Sequence, residues 1–164
     1  MKIGIIIVFE LINKSTGINE FVDYFNRAEK VKFCLVNNNN NNNNNNRNDV
    51  FIENLLYKVA DRCDNVTVVN VKKSSVAHAA AIRYGARYLN SHFNLKHLGY
   101  IENSEHLDII SCLGFFNVYK ENIKQDLITK KSQEVKKSFL KNVFSVTSYI
   151  IKFNKDFGSL AKNY

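Results

Sequence analysis

Four times along this chain, a short apolar run rich in β-branched residues is followed by a stretch with helical spacing. No other feature restricts the possible fold as much. Ile3–Phe9 is apolar throughout, the pattern of a strand covered on both faces. Ile18, Phe21, Val22 and Phe25 then recur at i, i+3, i+4 and i+7, one stripe of a helix. Lys32–Val36 reads as a second strand. The helix after it starts near Asn48 or Asp49, with Ile52, Leu55, Leu56, Val59 and Cys63 on one side. Val66–Val71 is a third strand. Ser74 or Ser75 is placed to cap a helix carrying Ala79, Ile82, Ala86, Leu89 and Phe93. Leu98–Glu102 is a fourth strand, and Leu107, Ile110 and Leu113 open a further helix. Val135, Phe139, Val143, Val146 and Ile150 predict a long amphipathic helix over Ser132–Phe153. Such alternation predicts an α/β fold, a mostly parallel sheet with helices on both faces. Ile5, Ile7, Leu35, Val68 and Ile101 are its expected core.

In sheets of this kind ligands lie beyond the carboxyl ends of the strands. The segments to inspect are therefore Glu10–Ile18, Asn37–Asn48, Lys72–Ser75 and Glu102–His106. The second contains ten consecutive asparagines, Asn37–Asn46. Asparagine competes for backbone hydrogen bonds and brings nothing apolar to bury, so the run is expected to be a mobile loop. A repeat expansion in a tolerant surface loop and a remodelled ligand loop are both open readings.

At 164 residues, with 45% hydrophobic and 23% charged, the chain suits one globular domain, 1–164, with no internal repeat. There is no Pro and no Trp, while we count 25 Asn and 18 Lys against 5 Arg. That skew follows A/T-rich codons, which weakens any conclusion from the net charge of +8. Ten lysines against four acidic residues from Val118 to Tyr164 supply +6 of it. Charge alone does not argue for nucleic acid, and no nucleic-acid partner is expected. The basic stretch Lys130–Lys155 is read either as a solvated helix face or as a surface resting on anionic lipid.

Absent patterns narrow the chemistry. No G-x-G-x-x-G follows the first strand, and no G-x-x-x-x-G-K-[ST], H-E-x-x-H or G-x-S-x-G occurs. Cys34, Cys63 and Cys112 form no C-x-x-C pair and are expected as buried thiols in a reducing compartment. Ile3–Phe9 meets Glu10 with no small-residue cleavage site, which favours a strand over a signal peptide. The expected location is cytoplasmic, or peripheral to the inner face of a membrane.

Four places resemble the family-two glycosyltransferases with the GT-A fold, nearest the branch of dolichyl-phosphate glucosyltransferases. Ile3–Glu10 is similar to the strand that ends there in a P-x-Y-N-E-like turn. Phe33–Asn39 stands where the family has a strand and a D-D-G-S-type loop. Ala77-His78-Ala79-Ala80-Ala81-Ile82-Arg83-Tyr84-Gly85 resembles G-K-x-x-A-[IV]-R-x-G and keeps Ala81, Arg83 and Gly85. Leu98-Gly99-Tyr100-Ile101-Glu102-Asn103-Ser104 is similar to I-G-Y-x-D-A-D. A weaker match, Asp156, Ala161, Lys162 and Tyr164, falls where relatives read D-T-Q-C-G-A-K-x-F.

The resemblance implies a Rossmann-like half that takes a nucleoside-diphosphate sugar and passes the sugar to a lipid-phosphate or glycan acceptor. It implies Glu10, Asn37, Asn39, His78 and Arg83 at the nucleotide, Glu102 and Ser104 at a divalent manganese or magnesium, and Asp156 as the acceptor-side carboxylate. Such a cation would offset charge developing on the leaving diphosphate. The chain departs from the pattern where charge matters. Glu102-Asn103-Ser104 keeps one carboxylate of two, asparagine replaces the base-loop aspartate, and Ala77-His78 replaces Gly-Lys. The sequence therefore supports two readings: a transferase, or a catalytically degraded or truncated relative that keeps the fold and weak nucleotide binding.

Overall fold

The computed structural model describes residues 2–9, 17–28, 30–38, 47–71, 77–101, 108–131 and 143–152. Its elements are β1 (Ile3–Phe9), α1 (Ile18–Arg27), β2 (Val31–Asn37), α2 (Arg47–Ala60), β3 (Val66–Asn70), α3 (His78–His92), β4 (His97–Ile101), α4 (Ile109–Lys131) and β5 (Val143–Ser145). The five strands form one sheet in the order β3-β2-β1-β4-β5, and every pairing is parallel.

β1 is central, and all seven of its residues are buried. Alternation divides its side chains between two cores. Ile3, Ile5, Ile7 and Phe9 join α1, α2 and α4 on one face. Ile6 and Val8 meet Ala81, Ala86 and Leu89 of α3 on the other. Of the expected core, Ile5, Ile7, Leu35 and Ile101 are fully buried. Val68 is half-buried on β3, which among the described residues is an end strand of the sheet.

Close approach fixes α3 on its face. A Cβ on Gly85 would stand 2.7 Å from a methyl of Ile6 and 2.8 Å from one of Val36. The sheet-facing stripe is consequently Ala81, Gly85, Ala86 and Leu89, and Ala79 is exposed. α3 starts at His78 with Ala77 in the capping position and no side-chain cap. The serines expected to cap it, Ser74 and Ser75, lie outside the described residues.

The C-terminal part corrects the sequence reading. The helix expected over Ser132–Phe153 is not continuous. Val143–Ser145 pair with Leu98–Tyr100 as β5, and a helix resumes only at 146–152. Gly99 explains this, because its missing side chain leaves the space that the Phe144 ring occupies. A Cβ there would come within 2.5 Å of that ring. α4 is instead the long helix, at 23 residues, so a single Lys-rich helix through Lys130–Lys155 does not form.

Helix placement has a further consequence. The steps β1–β2 and β2–β3 run in one direction with α1 and α2 on one face. The step from β3 to β4 runs the other way with α3 on the opposite face. Those three crossovers therefore share one hand. The step from β4 to β5 runs in the same direction as β3 to β4, yet α4 lies beside α1 and has the opposite hand. Asn117 Nδ2 donates to the Tyr24 carbonyl of α1 at 3.0 Å, and Gly114 lies against the Tyr24 ring.

Candidate functional site

The strands are all parallel, but the order in which they are added reverses between β1 and β4, the point where a ligand is expected in such sheets, beyond Phe9 and Ile101. Register places Ile7 beside Ile101 and Phe9 beside Asn37.

The asparagine run begins inside the fold. Asn37 is the last residue of β2, buried, and its carbonyl accepts from Val71 N at 3.1 Å. Asn38 is only 3% exposed, and its backbone N–H donates to the Phe9 carbonyl at 3.0 Å. Strand alternation carries Phe33, Leu35 and Asn37 toward α1 and α2, and Cys34, Val36 and Asn38 toward α3. The loop expected from Asn37 thus loses its first two residues to the sheet edge. Asn38 is the buried polar residue at these strand ends that sequence reasoning passed over. Within ten identical residues only the parity of β2 distinguishes it.

α3 contributes His78 in its first turn. His78 is half-buried, with Nε2 shielded from solvent, and shares a helix face with Ala81 and Gly85. His78 and Asn38 therefore lie on the same face at the same end of the sheet. Arg83 does not join them. It is exposed, and at 100° per residue it sits opposite the sheet-facing Ala81 and Gly85. Of the retained motif residues, Ala81 and Gly85 have a packing role, because they let α3 lie close on β1 and β2.

α4 begins with a side-chain cap, Asp108, whose Oδ1 accepts from Ser111 N at 2.7 Å. Its Oδ2 accepts from Ser111 Oγ at 3.2 Å, which complements the positive end of the helix. α1 and α3 have no such cap side chain. Glu10, Asn39, Glu102, Ser104 and Asp156 lie outside the described residues. Among the described residues there is no group of three or more His, Cys, Asp or Glu able to hold a metal ion.

The thiols are not nucleophiles in this setting. Cys34, Cys63 and Cys112 are all buried and unbridged. Burial pushes each thiol up, Cys34 to about 12, so the reactive thiolate is scarce near neutral pH.

No protein-family model matches the chain, and neither the curated proteins nor the solved structures contain a match to it.

Proposed function

We propose that this chain binds a nucleoside-diphosphate sugar across the carboxyl ends of β1, β2 and β4 and transfers the sugar to a lipid-phosphate or glycan acceptor. One observation carries the reading. The strand order brings the ends of β1 and β4 side by side where the order of addition reverses, with the end of β2 and the start of α3 beside them. These are the four places where the sequence resembles the family. In this reading Asn37 and Asn38 offer amide groups to a base edge, which neutral amides can both donate to and accept from. His78 faces the diphosphate. Glu102 and Ser104, with Glu10 and Asn39 nearby, complete the donor side, and Asp156 serves the acceptor. A divalent cation, when bound, would neutralise the leaving diphosphate.

The position of Arg83 favours the second reading, a degraded relative with weak binding. An arginine on the outer face of α3 gives the diphosphate no cation at the strand ends. With one carboxylate of two retained at Glu102-Asn103-Ser104, a metal finds fewer anionic oxygens. The proposed location is cytoplasmic, against the inner face of a membrane through the basic C-terminal third. Among the described residues no helix is long and apolar enough to cross a membrane.

Amide chemical-shift mapping with uridine and guanosine diphosphates, with and without manganese, tests both readings. Shifts at Phe9, Asn37, Asn38, His78 and Ile101 are expected. Strong metal dependence would favour the active enzyme, and metal-independent shifts the degraded relative. Shifts confined to α4, or none, would remove the nucleotide site.

A further inference from the structure

We propose that the outer face of α3, with the lysines beyond its last turn, docks this protein on an anionic lipid bilayer. The inference rests on the membrane location proposed above and names the face that makes the contact; it does not depend on the nucleotide reading.

α3 turns Ala81, Gly85 and Leu89 to the sheet. At 100° per residue Arg87 stands opposite them, with Arg83 and Tyr84 to its two sides, an arc of about 100°. Arg83 and Arg87 are exposed, and Tyr84 is 41% exposed. Lysines continue the positive surface where α3 ends. Lys32 Nζ stands 5.4 Å from the centroid of the Phe93 ring. Lys96 N donates to the Lys2 carbonyl at 3.1 Å, and both lysines are exposed.

The two signs of charge are separated by the sheet. The segment 77–101 contains no Asp or Glu. Every acidic side chain described belongs to α1, α2, α4 or a residue beside them, and those helices pack on the other face. Asp64, after α2, meets Lys32 through its backbone carbonyl, which accepts from Lys32 Nζ at 3.2 Å. Among the described residues no carboxylate pairs with Arg83, Arg87, Lys2, Lys32 or Lys96. On the α4 face, by contrast, Lys124 pairs with Glu121, and Lys152 Nζ lies 3.1 Å from Asp126 Oδ1. The described part of the C-terminal third therefore offers less uncompensated charge than α3 does. A/T-rich codons raise lysine throughout the chain, but they do not sort cations from carboxylates between two faces.

Shape and residue type select a bilayer over a nucleic acid. The arginines line the crest of a helix, whereas single-stranded nucleic acid is held along a groove. A helix that reads duplex DNA does so with its first residues. The exposed residues at the start of α3 are Ala77 and Ala79, which have no hydrogen-bonding side chain. Guanidinium groups match lipid phosphate oxygens, and a tyrosine ring takes the headgroup level with its hydroxyl in water. Each Lys or Arg near an anionic leaflet strengthens binding about fivefold.

Co-sedimentation of the full chain with vesicles of mixed phosphatidylcholine and phosphatidylserine tests the proposal. Binding is expected there, weakened by salt, with none to pure phosphatidylcholine. Replacing both Arg83→Gln and Arg87→Gln should weaken it about 30-fold, and Lys120→Gln with Lys124→Gln should change it little. The chain has no Trp, so Tyr84→Trp supplies a single reporter. Its emission should move to the blue, and brominated lipid should quench it, only with the mixed vesicles. Binding that survives the arginine pair and falls with the lysine pair overturns this inference and leaves the membrane location standing. No binding to mixed vesicles overturns both, as does binding of this face to an oligonucleotide alone. If the arginine pair fails to fold, Tyr84→Trp decides: an unchanged emission with bound vesicles overturns the proposal, and a quenched blue shift upholds it.

Discussion

The two faces of the sheet are built on opposite principles. On the face of α1, α2 and α4, large rings fill a thick layer. Phe9, Phe25, Phe33 and Phe116 are all nearly inaccessible, and Phe25 and Phe33 have ring centroids 4.7 Å apart. On the other face α3 lies close to the strands through Ala81, Gly85 and Ala86. One face gains its stability from apolar area removed from water, the other from close contact between backbones. The first should suffer when side chains are cut back, the second when they are enlarged.

Phe25→Ala should give the largest effect, a loss of about 3–5 kcal/mol in urea unfolding, as expected for a large ring deleted from a core. A loss under about 1 kcal/mol would mean that the thick face is loosely packed. Gly85→Ala comes next and tests the thin face by its sign. Alanine gains about 1 kcal/mol of helix propensity over glycine. The added methyl must displace methyls of Ile6 and Val36 that are themselves buried, an overpacking cost of about 1–3 kcal/mol. Net destabilisation is expected, whereas a stabilised Gly85→Ala would show that α3 can move outward freely.

A smaller effect is expected where 146–152 joins the thick face. Tyr149 donates to Asp126 Oδ2 at 2.6 Å, and Lys152 Nζ donates to Asp126 Oδ1 at 3.1 Å. Tyr149→Phe should cost about 1 kcal/mol in the same assay. Burial, and then the hydrogen bond and charge of Asp126, raise the Tyr149 pKa above the ordinary value. A raised pKa in the folded state means a contribution that is complete below the tyrosine pKa of about 10 and declines as pH rises above it. The difference between Tyr149→Phe and the natural chain should therefore be flat from neutral pH to about 9 and shrink beyond. Lys152→Ala should be the mildest change, under about 0.5 kcal/mol, because its side chain is half exposed and water screens the pair. A larger loss would mean that Asp126 depends on Lys152 as well as on Tyr149.

The thick face was largely legible in the sequence. Ile52, Leu55, Leu56, Val59 and Cys63 are all buried as their spacing predicts, and so are Phe21 and Phe25. Bulky apolar residues at helical spacing leave a clear pattern. The thin face was harder to read, because alanine and glycine give little hydrophobic contrast, and its stripe came out displaced toward Ala79. At the candidate site, the parallel alignment of the strand ends followed from alternation alone. The burial of Asn37 and Asn38 did not, because a polar run reads as loop until its first residues are seen to extend β2. Arg83 and Gly85 belong to one motif, yet helical geometry turns them to opposite sides. Gly85 packs on the sheet while Arg83 faces outward.

By itself the sequence determined the kind of element at most positions and their order, and from these an α/β fold with a parallel sheet. Those properties depend on residues within a few positions of one another, so periodicity carries them. Only the tertiary structure decided that Val143–Ser145 becomes β5 and that α4 lies on the α1 face. The first depends on Gly99 making room for the Phe144 ring. The second depends on Tyr24 of α1, which meets Gly114 and accepts from Asn117. In both cases the deciding partner lies more than forty residues away. No local pattern records a fit between surfaces that meet only after the chain has folded.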